Sequence, residues 1–361
     1  MKVGLVLGAG GVAGGAWLTG ALQAIATETG WDPGSADRIV GTSAGSVIGA
    51  FTAAGLPPWF MVAHSKGETF EGLTGPDGRP AADADRSGGA VFRLHRGLPS
   101  VGPGSLKLGL STLARPRRHT PLELTVGWLP RGVMSTDPIS DIVRRTVPWQ
   151  WVDHPSFWAV ACDYATGRRV GFGRPGAPEA DLADAVAASC SIPGFYRPVE
   201  IGGRRYVDGG VRSASNLDLV AGLGLDLVIC LNPTSTRVGG GAGIVGLHPL
   251  DRVLGLNRAA SGRRLGSEAR RVRAGGTEVV LIQPGSEDLA VIGRNMMSGK
   301  RRNEVIETAI RTVGRAVRLP GIREQLTGLP QGEAHKIERP SGPPEQWPDI
   351  VPTAPLSARA A

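Results

Sequence analysis

Three short stretches of the sequence contain residues that could together perform nucleophilic chemistry. The first is Gly41-Thr-Ser43-Ala-Gly45, in which a serine stands between two glycines. In a G-x-S-x-G turn the hydroxyl projects at the start of a helix, where free backbone amides favour developing negative charge. A serine at such a point also caps many helices without any catalytic role. The pattern alone leaves both interpretations of Ser43 open.

A candidate base follows much later in the chain. Tyr206-Val207-Asp208-Gly209-Gly210 places a carboxylate at the end of a predicted hairpin strand, directly before two glycines. Such a carboxylate could accept the serine proton without a histidine, as a two-residue Ser–Asp unit. An Asp-Gly dipeptide is also ordinary turn chemistry, so a purely structural interpretation of Asp208 stays open at this point.

The third stretch is a glycine loop, GAGGVAGG, which contains Gly8, Gly10, Gly11 and Gly14. It lies between an apolar run and a helical pattern, as a dinucleotide-binding fingerprint does. That fingerprint requires an acidic residue at the end of the second strand, and Val40-Gly41-Thr42-Ser43 has none. The backbone amides of the loop are then candidates for an oxyanion hole beside Ser43.

A histidine could replace the aspartate as the base. In α/β-hydrolases the order along the chain is Ser, then Asp or Glu, then His. Of the six histidines, only His248 follows a plausible acid within the ordered part of the sequence. It lies in a glycine-rich loop, and a Ser–His triad through His248 is the alternative to the Ser–Asp pair.

The elements around these residues predict a parallel α/β sheet. Val3–Leu7 is a continuous apolar run, typical of a strand buried on both faces. A helical pattern at Ala16–Thr29, a short strand at Arg38–Val40 and a helix of small residues at Ser46–Ala54 follow. This alternation favours parallel strands, whose carboxyl ends would bring the glycine loop and Ser43 side by side.

Regular elements resume beyond residue 150. We predict strands at Phe157–Cys162, Arg169–Gly173, Leu225–Asn232 and Thr277–Gln283, a hairpin ending at Asp208, and helices at Ala180–Ser189, Arg258–Arg273 and Ser298–Leu319. Residues 57–150 predict an irregular, partly helical insertion that could cover a site. Residues 1–320 are predicted to form one domain, and residues 328–361 a disordered tail rich in Pro, Gly and charge.

The composition is that of a globular protein with a basic surface. The 361 residues are 41% hydrophobic and 20% charged, with a formal net charge of +8. Such a charge favours anionic partners without choosing among lipid headgroups, phosphates and nucleic acid. Three scattered cysteines indicate a reducing compartment, and no apolar run reaches about 18 residues. We expect a cytoplasmic protein, because the glycine-packed N-terminal segment is a poor signal peptide.

Basic and aromatic stretches are candidates for peripheral contact with an anionic membrane. The basic ones are Arg115–Arg118, Arg263–Arg273 and Lys300–Arg302, and the aromatic residues are Trp149, Trp151, Phe157 and Trp158. Solvated helix faces and core packing explain them equally well. No nucleic-acid module is visible, so no nucleic-acid partner is expected. Asp153, Asp163 and Asp181 lack the spacing of metal ligands, and we expect neither metal nor cofactor.

Taken together and in order, these motifs resemble those of the patatin-like phospholipase family. The matching pieces are GLVLGAGGVAGG, DRIVGTSAGSVIGA, ASCSIPGFYRPV and GGRRYVDGG, which span roughly residues 3–215. The resemblance implies a three-layer α/β/α fold with a mainly parallel central sheet and hydrolysis of lipid acyl esters. It also implies a Ser–Asp dyad without histidine: Ser43 is the nucleophile, Asp208 the base, and amides around Gly10 and Gly11 form the oxyanion hole.

The loop departs from the family pattern at one place. Many family members carry Arg or Lys just before the last glycine, where this sequence has Ala13 or Gly14. A weaker preference for phospholipids is the expectation that follows. The resemblance covers phospholipase A, lysophospholipase and carboxylesterase types of activity. The altered loop keeps a second hypothesis open, a protein of this fold that binds lipid or acyl chains without turnover.

Overall fold

The main sheet has eight strands among the residues that the structure describes. The computed structural model describes residues 1–68, 70, 92–97, 102–114, 121–236, 249–348 and 350, with the backbone alone at 121–123 and 249–257. The strands are β1 (Val3–Leu7), β2 (Arg38–Thr42), β3 (Arg93–Leu94), β4 (Met134–Ser135), β5 (Phe157–Asp163), β6 (Arg169–Phe172), β7 (Val199–Ile201), β8 (Arg204–Asp208), β9 (Leu227–Leu231) and β10 (Glu278–Ile282). Of these, β3 and β4 form a separate two-stranded ribbon.

Five neighbouring strands of the main sheet are parallel, in the order β10-β9-β1-β2-β5. Strand β1 lies at the centre, where Leu5 is opposite Ile39 of β2 on one edge and Ile229 of β9 on the other. All five residues of β1 are buried, as the continuous apolar run predicts. Since neighbouring parallel strands end at the same edge of a sheet, the turns after β1 and β2 lie side by side.

Helices cover both faces of this sheet. They are α1 (Gly11–Thr29), α2 (Ala44–Ala53), α3 (Pro58–Ser65), α4 (Leu106–Ala114), α5 (Pro121–Val126), α6 (Asp137–Thr146), α7 (Leu182–Ser189), α8 (Pro249–Ala274), α9 (Ser286–Ile292), α10 (Arg302–Val317), α11 (Pro320–Leu326) and α12 (Ala334–Ile337). Leu5 packs in a core with Trp17 of α1, whereas Val6 packs in a second core with Leu265 of α8. Successive side chains of a strand point to opposite faces, so these are the two interfaces of a three-layer fold. The predicted α/β/α architecture with a mainly parallel sheet is confirmed.

Strand β5 is where the sheet changes direction. One edge of β5 pairs with β6, and the other edge pairs first with β2 and then with β8. Thr42, the last residue of β2, is opposite Val160, and Asp208, the last residue of β8, is opposite Ala161. Because β2 runs parallel and β8 antiparallel to β5, the two strands point at each other. Their last residues therefore lie one position apart along β5.

Two helices begin earlier than the sequence indicates. Helix α1 starts at Gly11 rather than Ala16, and α2 starts at Ala44 rather than Ser46. Glycine has a low helix propensity, so the glycine loop and the G-x-S-x-G turn look non-helical in sequence. In the structure these small residues form the first turns of helices that begin directly at the sheet edge.

Parts of the predicted insertion at 57–150 belong to the helical layers. Trp59, Phe60 and Met61 of α3 are buried in the main core, and α6 packs against α7. Proline lies in the first turn of both α3 and α6, where a missing N–H removes no helical hydrogen bond. The prolines that interrupt the sequence periodicity here mark the starts of helices.

Residues 328–348 and 350 pack against the rest of the protein. This packing differs from the disorder that the sequence predicts for them. Leu329, Ile337 and Ile350 are buried. The Trp347 ring meets that of Trp59 edge-on with 5.5 Å between centroids. Single apolar residues in a sequence rich in proline and charge form no periodic pattern, so the composition did not predict their burial. The domain boundary at 320 stays a prediction, and residues 351–361 lie outside the described residues.

The aromatic stretch suggested for membrane contact belongs to the core. Phe157 and Trp158 are 1% and 2% exposed, and the guanidinium of Arg38 stacks 4.4 Å from the Trp158 ring. Two of the suggested basic stretches have structural partners: Arg271 pairs with Asp218, and Arg301 pairs with Glu304. The third, Arg115–Arg118, lies outside the described residues. Within the described ranges, no helix is both long and apolar enough to cross a membrane.

Candidate active site

Ser43 lies on a strained turn between β2 and α2. Its backbone has φ 54° and ψ −125°, and among the described residues other than glycine only Asn216 shares a positive φ. Such a conformation costs about 1–3 kcal/mol, so the surrounding contacts must hold it in place. Ser43 is the N-cap residue of α2, but in the described structure its side chain caps no backbone amide. The hydroxyl is therefore available for other chemistry.

Close packing at Gly41 and Gly45 fixes this turn against the sheet. A Cβ at Gly45 would lie 2.1 Å from the carbonyl oxygen of Leu7 and 2.8 Å from that of Gly8. A Cβ at Gly41, within β2, would lie 2.4 Å from the carbonyl oxygen of Gly45. No larger residue fits at either position, and α2 consequently begins in direct contact with the end of β1, where the glycine loop starts.

Asp208 ends β8 with its carboxylate buried beside Ser43. The residue is 5% exposed, and its Oδ1 accepts a hydrogen bond from the Gly210 N–H at 2.6 Å. Burial raises the pKa of Asp208 to about 6, against the lowering effect of the Gly210 amide and the Ser43 hydroxyl. At neutral pH the carboxylate is ionised yet more basic than an exposed aspartate, which suits it to accept a proton from the serine.

The end of α7 and the two residues after it hold the backbones of Ser43 and Asp208. Ser189 Oγ accepts a hydrogen bond from the Ser43 N–H at 2.9 Å and donates one to the Val160 carbonyl oxygen at 2.6 Å. The carbonyl oxygen of Ser191 accepts the Asp208 N–H at 2.9 Å. The segment ASCSIPGFYRPV thus holds the two backbones rather than supplying a reacting group.

Cys190 lies between these two serines, with its sulfur 3.9 Å from Ser46 Oγ. Burial raises the pKa of its thiol far above the ordinary value, and the Asp208 carboxylate raises it further. Because only a thiolate is a strong nucleophile, Cys190 does not compete with Ser43 in this role.

Backbone hydrogen bonds hold the glycine loop on both sides. The Ala9 N–H donates to the Ala214 oxygen at 2.7 Å, and the Gly14 N–H donates to the Gly10 oxygen at 2.9 Å. Neither the Gly10 N–H nor the Gly11 N–H donates a hydrogen bond to another of the described residues. Unbonded amides at the start of α1 can bind a negatively charged oxygen.

Residues far from the motifs cover this loop. The carbonyl oxygen of Met296 accepts the Ala13 N–H at 2.9 Å. Pro233 packs against the loop so closely that a Cβ at Gly10 would lie 2.6 Å from its ring. Sequence reasoning missed both residues, because isolated long-range contacts leave no pattern in the segment that makes them.

Arg258 of α8 brings a positive charge to this cover. Its Nη1 donates to the Pro233 oxygen at 3.1 Å, and its Nη2 lies 3.4 Å from the Met296 sulfur. Burial lowers the pKa of Arg258, and no carboxylate of the described residues pairs with it. The cation expected at Ala13 or Gly14 is absent from the loop, where both positions are buried in α1. Arg258 instead contacts the two residues that cover the loop, Pro233 and Met296.

Asn216, which the sequence analysis also missed, joins the turns that follow β2 and β8. It is fully buried and has φ 51° and ψ 28°, a left-handed conformation that asparagine tolerates better than most residues. Its Nδ2 lies 3.0 Å from Thr42 Oγ1 and 3.4 Å from the Gly209 oxygen, and its Oδ1 accepts from Arg169 at 3.1 Å. One amide thus links the residue before Ser43 to the residue after Asp208. The available signal was an asparagine shortly after Asp208-Gly-Gly.

The histidine alternative gains no contact in the described structure. His248 lies outside the described residues. His64 and His335 lie in α3 and α12, and the ring of His154 bonds the Ala36 oxygen at 2.8 Å, before β5 begins. The groups described around Ser43 and Asp208 are serine, cysteine, asparagine and backbone amides.

Comparisons with known proteins match the chain to one family. Residues 5–221, more than half of the chain, match the family described as Patatin-like phospholipase. Two similar proteins are named as uncharacterized NTE family proteins, from Mycobacterium bovis (strain ATCC BAA-935 / AF2122/97) and Mycobacterium tuberculosis (strain ATCC 25618 / H37Rv). Each is 31% identical over 110 residues, which are 30% of this chain and 29% of the relative. The match thus covers less than a third of these relatives.

Substitutions of Asn216 should separate its backbone from its side-chain contribution. Asn216→Gly keeps the left-handed backbone and loses the amide, at an expected cost of about 2–4 kcal/mol in the free energy of unfolding. Asn216→Ala adds about 1 kcal/mol of backbone strain. Urea denaturation should therefore rank the wild type above the glycine variant and the alanine variant last. Asn303→Ala, at an exposed position of α10, is the matched control, and equal stability of all three proteins would contradict the linking role.

Asp208→Asn should stabilise the protein at neutral pH. The folded-state pKa of about 6 lies above the ordinary value of 3.8, so the folded state binds the proton more tightly. Stability from this group is then full at low pH and is lost as pH rises from about 4 to 6. Urea denaturation at about pH 7.5 should show the variant more stable by up to about 3 kcal/mol, with a smaller gap at about pH 5. Asp141→Asn, at a side chain that is 49% exposed, is the control and should show no such gap in stability. Equal stability of wild type and Asp208→Asn at about pH 7.5 would refute the raised pKa.

Proposed function

The chain belongs to the patatin-like phospholipase family, and on this premise we propose that it is a serine hydrolase that cleaves carboxylic esters of lipids through Ser43 and Asp208. The observation that carries the proposal is the meeting of three features at one sheet edge. A strained serine whose hydroxyl caps no amide faces a buried carboxylate, and two backbone amides beside them have no acceptor among the described residues.

In the proposed acylation step, Ser43 Oγ attacks the ester carbonyl carbon while Asp208 takes the hydroxyl proton. The carbonyl oxygen becomes an oxyanion, which the Gly10 and Gly11 amides stabilise. The tetrahedral intermediate then collapses, the bond to the alcohol oxygen breaks, and the alcohol leaves with the proton from Asp208. The product is an acyl ester of Ser43.

Water releases the acyl group by the same route. Asp208 takes a proton from the attacking water, the second oxyanion forms at the same amides, and the C–O bond to Ser43 breaks. The proton held by Asp208 returns to Ser43 Oγ as the carboxylic acid leaves. Aspartate alone can act as base because desolvation makes its carboxylate a stronger proton acceptor than an exposed one.

The finer proposal concerns the substrate, an acyl ester of the phospholipase A, lysophospholipase or carboxylesterase type. Arg258 supports an anionic head group, because its guanidinium pairs with no carboxylate of the described residues and donates to Pro233, which packs against the glycine loop. The net charge of +8 acts in the same direction.

Loss of either proposed reacting group should abolish hydrolysis. Ser43→Ala and Asp208→Asn should each lower kcat for nitrophenyl esters by at least about 1,000-fold, because each step needs both groups. Esters of several chain lengths should be tested at saturating substrate. The matched controls are Ser35→Ala, at an exposed position, and Asp141→Asn, at a side chain that is 49% exposed; both should keep wild-type activity.

A fluorophosphonate probe tests the nucleophile separately. Wild type should gain one covalent label on the peptide that contains Ser43, and Ser43→Ala should gain none. Wild-type turnover that persists in Ser43→Ala would end the proposal. A wild type that hydrolyses no ester yet binds acyl chains would instead support the non-catalytic binding protein.

The pH dependence of kcat/KM should report the ionisation of Asp208. Only the ionised carboxylate accepts the serine proton, so activity should fall as pH drops through the pKa of about 6. Acid release measured in a pH-stat, with an ester that does not itself titrate, gives the profile. Below the midpoint the logarithm of kcat/KM should fall by about one unit per pH unit. A flat profile between about pH 5 and 7 would contradict the aspartate as the base.

A further inference from the structure

Exposed apolar side chains are concentrated in one part of the described chain. Eight of the ten large hydrophobic residues that are exposed lie between residues 92 and 133. Leu106, Leu110 and Leu113 of α4 are 57%, 59% and 58% exposed, and their spacing puts them on one side of the helix. Trp128, also exposed, packs across Gly109 of α4. We name the surface formed by these three leucines and Trp128 the α4 face.

The opposite side of α4 already attaches the helix to the protein. Leu108 is 2% exposed and packs in a small core with Tyr164 and Val207. The start of α4 is also bonded to the chain before β4, since the Ser105 N–H donates to the Gly127 oxygen at 3.0 Å. Packing therefore does not need the leucine side, and exposed apolar surface of this kind marks an interaction site.

The sequence around the α4 face is strongly basic. Between residues 92 and 135 it contains seven arginine or lysine residues and one acidic residue, Glu123. Lys107 is exposed beside Leu106, and Arg93 and Arg96 are exposed at β3. Apolar side chains edged by cations complement an anionic lipid surface, because the former enter the acyl region while the latter meet the head groups.

Helix α4, which carries this face, packs against the strand that ends at Asp208. Val207, which packs under α4, directly precedes Asp208. The Met134 N–H of β4 donates to the Phe195 oxygen at 3.0 Å, and Phe195 follows the segment whose Ser191 holds the Asp208 backbone. Ser43 itself is only 4% exposed, so a lipid ester must leave its bilayer to reach the hydroxyl.

We propose that the α4 face docks the protein onto an anionic lipid bilayer, the source of the lipid ester that the candidate active site cleaves. The purpose of docking rests on the proposed function, whereas the binding itself needs no hydrolysis. A lipid surface is favoured over a protein partner because the basic surroundings match anionic head groups, and because α4 packs against the strand that carries the candidate base. It also explains why leucine, rather than a polar residue, occupies three solvent-exposed positions of one helix.

Vesicle sedimentation tests the docking. All proteins carry Ser43→Ala, so that hydrolysis does not alter the vesicles, which are phosphatidylcholine with or without phosphatidylserine. The full chain should bind the anionic vesicles, and Leu106→Ser/Leu110→Ser/Leu113→Ser should lower the partition coefficient by at least about tenfold. The Lys107→Glu substitution should lower the partition coefficient by a smaller factor than the triple substitution. That factor should be larger at low salt than at high salt. Leu319→Ser, 48% exposed on another part of the molecule, is the matched control.

Soluble-ester turnover separates this proposal from the proposed function. When Ser43 is kept, the Leu106→Ser/Leu110→Ser/Leu113→Ser variant should hydrolyse a soluble short-chain ester at the wild-type rate. The same variant should lose turnover of lipid in vesicles. Binding without any turnover would refute the proposed hydrolase and leave the docking intact.

Two results would overturn the docking: no wild-type binding to anionic vesicles, or equal binding by the triple variant. A wild type that is dimeric only through these leucines, with no vesicle binding, would assign the face to a second copy. Leu110→Asp alone, with an unchanged thermal midpoint, guards against misfolding of the triple variant.

Discussion

The candidate site depends on one feature of register, the head-on meeting of β2 and β8 along a single edge of β5. Thr42 pairs with Val160 and Asp208 with the next residue, Ala161, so the serine turn and the carboxylate share one short stretch of strand. A slip of one residue in either pairing would turn the side chains to the opposite face of the sheet. Ser189, Ser191 and Asn216 bond the same few residues, and their role follows from this constraint.

The sequence was informative wherever a local pattern has a local cause. A run of five apolar residues predicts a central strand, a serine between glycines predicts a tight turn, and Asp-Gly-Gly predicts a strand end; the confirmed α/β/α fold contains all three. Single contacts across long stretches of chain could not be predicted. Asn216, Pro233, Arg258 and Met296 each act through one or two atoms, so neither periodicity nor spacing identifies them. The early helix starts were missed for a different reason, because the close approach to the sheet selects glycine over helix-forming residues.

The arrangement around Ser43 combines destabilising features with unusually close support. A positive φ at a serine and a buried carboxylate both lower the free energy of unfolding. Backbone contacts at Gly45 that admit no side chain, and the buried amide of Asn216 with its bonds to both turns, offset these costs. Strain and support lie within the same few residues, which is typical of a site whose geometry is selected for chemistry rather than for stability.

The cover of the glycine loop has a consequence for when the site can form during synthesis. The stretch that matches the family ends at residue 221 and already contains Ser43 and Asp208. The second neighbour of β1, which is β9, and the residues over the loop, Pro233 and Met296, come afterwards. When only the matching stretch has emerged from the ribosome, the nascent chain therefore contains both reacting groups, but its sheet is incomplete and its glycine loop is uncovered. The loop is therefore covered only after Met296 has been synthesised, and completion of the proposed site must wait for the last part of translation.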